Sequence, residues 1–226
     1  MDQTIPKLQF SPADIYALSH SKPRHKFKNY FDNLFSPKVI RKYLPPDPIP
    51  GKKTLVLDLD ETLIHSDEFP PHPDVDYFQI GEPKIYVHKR PGLDKFIKFA
   101  CKNFEVFTFT YGTRGYAEEI LDKICPEVPK DHRLYRELCY IHRSGRVQKN
   151  LKILKRKPEN LILIDDCNDQ KYFNPYNSIL IPEWKGTPHD TCLIDIIPII
   201  LENCLQAPDV RDIIRKIPSN IRRASF

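Results

Sequence analysis

The stretch Thr54-Leu55-Val56-Leu57-Asp58-Leu59-Asp60-Glu61-Thr62-Leu63 decides how the rest of the chain is read. An apolar, β-branched run leads straight into two carboxylates. Bounded by polar residues, such a run reads as a short strand buried on both faces, the kind found in parallel sheets. Ligands of open parallel sheets sit at the carboxyl ends of the strands. Asp58 stands at that end and Asp60 two residues beyond, in the pattern D-x-D-x-T. The pattern suits phosphoryl transfer, in which one carboxylate attacks phosphorus and a second shuttles the proton. Dividing the roles lets one acid stay ionised while the other exchanges a proton.

Leu161-Ile162-Leu163-Ile164-Asp165-Asp166 repeats the design. Side by side and parallel, the two strands would bring four carboxylates to one sheet edge. That many acids repel one another unless a cation is present. An oxygen-rich site beside a phosphate favours magnesium. Between the two acidic strands lies Phe104-Glu105-Val106-Phe107-Thr108-Phe109-Thr110, a core strand ending in hydroxyls before a glycine turn and a helix start. A hydroxyl in that position is placed to donate to a phosphate.

Asp58-Leu59-Asp60-Glu61-Thr62-Leu63-Ile64-His65-Ser66 resembles the first motif of the haloacid dehalogenase (HAD) superfamily. Its form, D-L-D-E-T-L-[IV]-H-S, resembles the FCP/SCP phosphatases, which act on the C-terminal domain (CTD) of RNA polymerase II. Phe109-Thr110-Tyr111-Gly112-Thr113-Arg114-Gly115-Tyr116-Ala117 is similar to the second motif, F-T-x-G-[ST]-x-x-Y-A. Residues 136–151 are similar to the family segment that carries the third-motif lysine, matched by Lys149. The spacing differs by one residue from some members, so Lys152 competes for that role. Asp165-Asp166 resembles the fourth motif. The resemblance spans about residues 52–216.

This resemblance implies an α/β, three-layer, HAD-like parallel sheet with a small β-insertion after the first strand. It implies a magnesium-dependent protein serine/threonine phosphatase. Asp58 would attack phosphorus. Asp60 would protonate the leaving seryl oxygen and then activate water. Thr110 and Lys149 would stabilise the transferring phosphoryl. Asp58, the Asp60 carbonyl and Asp166 would hold Mg2+, and Asp165 would orient its neighbours beside the substrate. Thr62, Arg136 and Tyr116 match positions expected to line the substrate. The implied substrate is a phosphoserine or phosphothreonine protein, above all the CTD, in the nucleus with the cytoplasm as the alternative. Two other readings stay open: a non-catalytic binding module, like the family's mitochondrial import receptor, and a phosphatase of another protein such as lipin. Asp58, Asp60, Thr62 and Lys149 are all present, which speaks against the first.

The 226 residues carry a net charge of +5, with 40% hydrophobic and 29% charged residues, ordinary values for a soluble protein. The mild basic surplus suits an anionic substrate, and no nucleic-acid-binding signature is present, so direct nucleic-acid binding is not expected. No apolar run is long enough to span a bilayer, and the N-terminus lacks a signal-peptide pattern. Six cysteines without a C-x-x-C pair read as buried, reduced thiols, and Cys167 has no positioned base nearby in sequence.

Residues 1–50 hold eight of the 22 prolines and the basic cluster Lys22-Pro23-Arg24-His25-Lys26-Phe27-Lys28. They read as a basic, proline-rich, partly disordered arm with a short helix over 34–43 and an extended linker at its end. Residues 51–217 read as the phosphatase-type domain, and 218–226 as a short basic tail containing Arg222-Arg223-Ala224-Ser225. Residues 67–83 are too rich in proline and aromatics for a crossover helix and predict a β-excursion beside the site. Its Phe69, Tyr77 and Phe78 offer an apolar surface for an extended, proline-containing peptide, with Phe78 as the candidate contact. Further strands are predicted over 85–88, 134–142 and 174–181. Helices follow Gly92 and Gly112. A closing helix is predicted after Asp190, kinked at Pro198, with a last one over 208–217.

Overall fold

The computed structural model describes residues 43–217. The basic cluster, the helix expected over 34–43 and the Arg222–Ser225 tail lie outside those residues, apart from Tyr43. Five strands form one parallel sheet: β1 (Thr54–Leu57), β5 (Glu105–Phe109), β6 (Arg133–Leu134), β9 (Leu161–Asp165) and β10 (Ser178–Leu180). Their order is β10-β9-β1-β5-β6, which puts β1 at the centre. Its register aligns Leu57 with Thr108 on one side and Ile164 on the other. The three functional strand ends therefore finish level with one another.

Alternation along the strands splits the core in two. Leu55, Leu57, Val106, Ile162 and Ile164 face a layer of helices: α1 (Leu93–Asn103), α2 (Arg114–Ile124), α4 (Ile197–Gln206) and α5 (Val210–Ile214). Val56, Phe107, Phe109, Leu161 and Leu163 face the other way, onto Leu134, Leu138, Leu151 and Leu154. That third layer is built from short 3₁₀ turns, Arg136–Leu138 and Leu151–Leu154, rather than from long helices. All four β1 residues are buried, as a strand covered on both faces requires.

The excursion is a three-stranded antiparallel sheet of β2 (Ile64–Asp67), β3 (Tyr77–Ile80) and β4 (Ile85–Lys89), with β4 in the middle. It starts earlier than the proline-rich stretch indicates, because Ile64-His65-Ser66 already pairs with β4.

The strand expected over 134–142 is corrected. Only Arg133–Leu134 pairs in the main sheet, and β7 (Tyr140–Ile141) forms a hairpin with β8 (Val147–Gln148). Between them the chain folds into a 3₁₀ turn, because the Arg136 N–H donates to the Gly112 carbonyl and the Arg136 Nε to the Tyr111 carbonyl. Tertiary bonds to the strand-end loop outweigh the local extended preference.

The kink expected at Pro198 is displaced. Residues Cys192–Ile196 form a wide π-type turn in which the Ile197 N–H reaches the Cys192 carbonyl, and Pro198 sits in the first turn of α4. Proline is tolerated there because its missing N–H has no intrahelical partner to lose. Asp190 accepts from the Cys192 N–H, as expected of a helix start, and also pairs with a buried arginine. Cys125, Cys139, Cys192 and Cys204 are buried free thiols. Cys101 is partly covered, and Cys167 is exposed rather than buried.

Candidate active site

The loop from Asp58 to Ile64 leaves β1 in a tight, heavily bonded turn. The Asp58 N–H donates to the Ile164 carbonyl, and the Leu63 and Ile64 N–H groups both donate to the Leu59 carbonyl. Glu61 takes a left-handed conformation at φ 57, and the Trp184 N–H donates to its carbonyl. A non-glycine residue held there costs about 1–2 kcal/mol, and such strain concentrates at functional sites. Arg90 braces the same loop from beneath. Its guanidinium, 1% exposed, donates to the Thr62 carbonyl at 3.0 Å and grips Asp190 with two bonds of 2.8 Å. The sequence offers Lys89-Arg90-Pro91-Gly92 only as a turn, so this brace is a residue that sequence reasoning missed.

The strand ends bring the acids together. Asp58, Asp165 and Asp166 each offer an oxygen, and these oxygens lie within 4.8 Å of one another. Lys149 enters from β8, with its N–H held by the Gln170 side chain at 2.9 Å. Its Nζ lies 2.5 Å from an Asp58 oxygen and 2.6 Å from Asp165. Lys152, its competitor, is exposed on the following 3₁₀ turn. Asp165 is spent on positioning: one oxygen binds Lys149 and the other accepts from the Cys167 N–H. Gln170 had no sequence signal; it sits in α3 (Asn168–Phe173), which follows the fourth-motif acids.

Thr62 was expected to line the substrate. It is instead fully buried, with its hydroxyl donating to Asp166 at 2.8 Å and lying 3.5 Å from Asp58. It ties the two acidic strand ends together.

Asp60 stands apart from the three-acid cluster. Tyr116 on α2 donates to one Asp60 oxygen at 2.5 Å, and the Thr110 hydroxyl donates to the other at 3.2 Å. Thr110 in turn accepts from the Gly112 N–H at 2.8 Å. The Tyr116 oxygen also bonds Ser66 at 2.7 Å. Tyr116 is thus a buried partner of Asp60 rather than a side chain facing outward to a peptide. Ser66 closes the first-motif stretch, where the sequence gives it no role of its own.

Arg136 is also buried, with its guanidinium 4.5 Å over the Tyr111 ring and one nitrogen, Nη2, unpartnered. Burial lowers its affinity for the proton, opposed by Tyr111 and other neighbours including Asp60. A buried guanidinium nitrogen without an acceptor is an invitation to an anion or carbonyl. Phe78 does not join the cluster. It packs on the core from β3 with Lys123 above its ring, two turns along α2 from Tyr116. Phe69 and Tyr77 are the excursion aromatics left exposed, at 71% and 50%.

Electrostatics follow from this crowding. Burial, then the Asp165 charge, raises Asp58 above the ordinary carboxylate range against the pull of Lys149. Burial likewise raises Asp165, and burial with the Asp58 charge pushes Asp166 up to about 7. Burial alone would lower Lys149, but Asp165 and Asp58 reverse that and hold it firmly protonated. Burial and the neighbouring Asp60 keep the Tyr116 phenol protonated, hence a donor. One ammonium thus faces two buried carboxylates and a partly buried third that resist ionising together. Oxygen donors with a charge deficit of this kind fit a hard divalent cation.

Residues 53–211 match the family of NLI interacting factor-like phosphatases. The chain is 37% identical over 164 residues to Phosphatase PSR1 of Saccharomyces cerevisiae, covering 70% of this chain and 38% of that protein. It is 33% identical over 191 residues to the CTD small phosphatase-like protein of Mus musculus, covering 81% of this chain and 68% of that protein. A solved structure of Fcp1, an essential RNA polymerase II CTD phosphatase, is similar at a TM-score of 0.47 and 25% identity, covering 72% of this chain and 46% of that one. The chain spans 38%, 51% and 56% of three of its curated relatives. With its matched segment running through the whole sheet and every acidic strand end, this chain belongs to the NLI interacting factor-like phosphatase family.

Proposed function

We propose that the chain is a magnesium-dependent phosphoprotein phosphatase that works through an aspartyl-phosphate on Asp58. The observation that carries this reading is the division of labour among the acids. Asp58 lies against Lys149 in the charged cluster, while Asp60 is held separately by two hydroxyl donors. An Asp58 oxygen attacks phosphorus as the seryl oxygen leaves. Asp60 gives that oxygen its proton, then takes one from the water that cleaves the acyl phosphate. Lys149 balances charge on the phosphoryl oxygens, joined by the Thr110 hydroxyl as it turns its single proton from Asp60 to the bound phosphoryl. Asp58, Asp166 and the Asp60 carbonyl would hold Mg2+, which supplies charge neutralisation to the incoming phosphate dianion.

The substrate class we propose is phosphoserine or phosphothreonine in an extended, proline-containing segment of the CTD type, which implies a nuclear site of action. Exposed Phe69 and Tyr77 suit such a segment. Phe78 is half-buried against the core, so the exposed part of the surface falls to Phe69 and Tyr77. Among the described residues no helix is long and apolar enough to cross a membrane.

A non-catalytic reading has a relative of its own: the mitochondrial import inner membrane translocase subunit TIM50 of Candida albicans, 33% identical over 196 residues. Asp58→Asn separates the readings. The change is near-isosteric, but an amide cannot form the acyl phosphate. The expected result is a folded protein without turnover of a phosphoserine heptad peptide, beside an active wild type. An inactive wild type in magnesium, or an active mutant, would overturn the proposal.

A further inference from the structure

We infer that Tyr116, supported by Ser66, positions Asp60 so that one defined oxygen of its carboxyl group exchanges protons with the leaving group. The inference rests on the phosphatase reading above and assigns a role to a contact that reading does not need.

The Asp60 carboxyl has two unlike sides. One oxygen takes the Tyr116 phenol at 2.5 Å, and the other lies 3.2 Å from the Thr110 hydroxyl. Thr110 directly follows β5, whose Thr108 is level with Leu57, so it stands beside the strand end that carries Asp58, and its side of Asp60 is the side where a phosphoryl on Asp58 would lie. The oxygen on the Tyr116 side points into protein. Tyr116 is 4% exposed, Ser66 is 0% exposed, and their oxygens are 2.7 Å apart. An oxygen that accepts a short bond from a buried phenol is a poor site for a mobile proton. The partner oxygen is left to carry it.

The anchor is rigid. Tyr116 sits in the first turn of α2, buried with its neighbour Ala117 in the same core cluster. Ser66 comes from β2, which pairs with β4, so two independent elements meet at the phenol oxygen. A freely rotating Asp60 would sample several carboxyl orientations, and only a fraction would aim a proton at the departing oxygen. Tyr116 touches neither the phosphoryl nor the attacking oxygen, so it is a positioning residue.

The chemistry provides a readout that a merely structural role would not move. A seryl alkoxide leaves only when protonated, whereas p-nitrophenolate leaves without help. The parameter kcat/KM covers steps up to leaving-group departure, so later hydrolysis of the acyl phosphate does not enter it. In Tyr116→Phe, kcat/KM should fall at least ~10-fold on a phosphoserine peptide and less than ~3-fold on p-nitrophenyl phosphate. Ser66→Ala keeps the ring and removes its support, and should show the same bias at smaller size. It carries the test if the tyrosine variant does not fold. Equal losses on both substrates, or no loss on either, would overturn the inference while leaving the phosphatase standing. Asp58→Asn run in parallel separates the two failures: turnover by that variant would sink the phosphatase reading itself.

Discussion

Lys149 and Asp58 form a buried ion pair at 2.5 Å, and Lys149 spans from there to Asp165 at 2.6 Å. This ammonium arrives from a hairpin outside the main sheet and lands between two of its strand ends. It lets the chain hold the proposed nucleophile and a second acid side by side.

Removing that ammonium leaves buried carboxylates facing one another. Lys149→Met should lower stability by about 3–5 kcal/mol, the usual cost of stripping one partner from a buried pair. Activity should fall by at least ~100-fold as a charge-stabilising group is lost. Urea denaturation and phosphatase assays on the same preparation measure both. Lys152→Met is the matched control and should stay within about 0.5 kcal/mol of wild type, because Lys152 is exposed.

Magnesium binding should release protons. The Asp166 carboxyl is raised from an ordinary 3.8 to about 7 by burial and the Asp58 charge. Between those values the folded protein binds more protons than the unfolded chain. Stability of the metal-free protein should therefore fall as pH rises through that window. The cation must displace those protons, and burial with the Asp165 charge raises the other carboxylate ligand, Asp58, to about 8, so its affinity should climb with pH up to about 8 and flatten above. Calorimetry in two buffers of different ionisation enthalpy should find more protons released per magnesium at pH 6 than at pH 8.

The brace beneath the catalytic loop should carry stability. Arg90→Met leaves Asp190 buried without its partner and frees the Thr62 carbonyl. The expected cost is about 3–5 kcal/mol, or roughly 10 °C in Tm. A thermal melt that moves by less than about 2 °C would show that the pair contributes little beyond its own desolvation.

Gly112 is placed to test how tightly the hydroxyls are held. A Cβ there would come within 3.1 Å of both the Thr110 Oγ1 and the Tyr116 ring. Gly112→Ala should shift those groups by a few tenths of an ångström. It should slow phosphoserine turnover by roughly 10-fold while costing less than about 1 kcal/mol in stability. An unchanged rate would mean the loop yields without disturbing Asp60.

Much of the site could be read before any coordinates. Apolar strands ending in Asp58-x-Asp60 and Asp165-Asp166 are local patterns, because a doubly covered parallel strand needs a continuous apolar run. Thr110 at the end of its strand was legible for the same reason. The structure places these ends level because β1 pairs with β5 and β9 in register.

The partners of those residues were not legible. Tyr116 and Thr62 looked like substrate contacts, but one holds Asp60 and the other joins Asp166 to Asp58. Phe78 looked like a surface aromatic until the pairing of β3 with β4 turned it toward the core. The choice of Lys149 over Lys152 depends on a hairpin and on Gln170, residues with no periodic signal. Arg90 reads as part of a turn, and only the fold sets Asp190 against it. Sequence alone determined the strands that carry the acids and Thr110, because a doubly covered strand and its motif are short-range. Tertiary structure decided which oxygen each donor serves, because hydrogen-bond partners distant in sequence are chosen by how the layers pack.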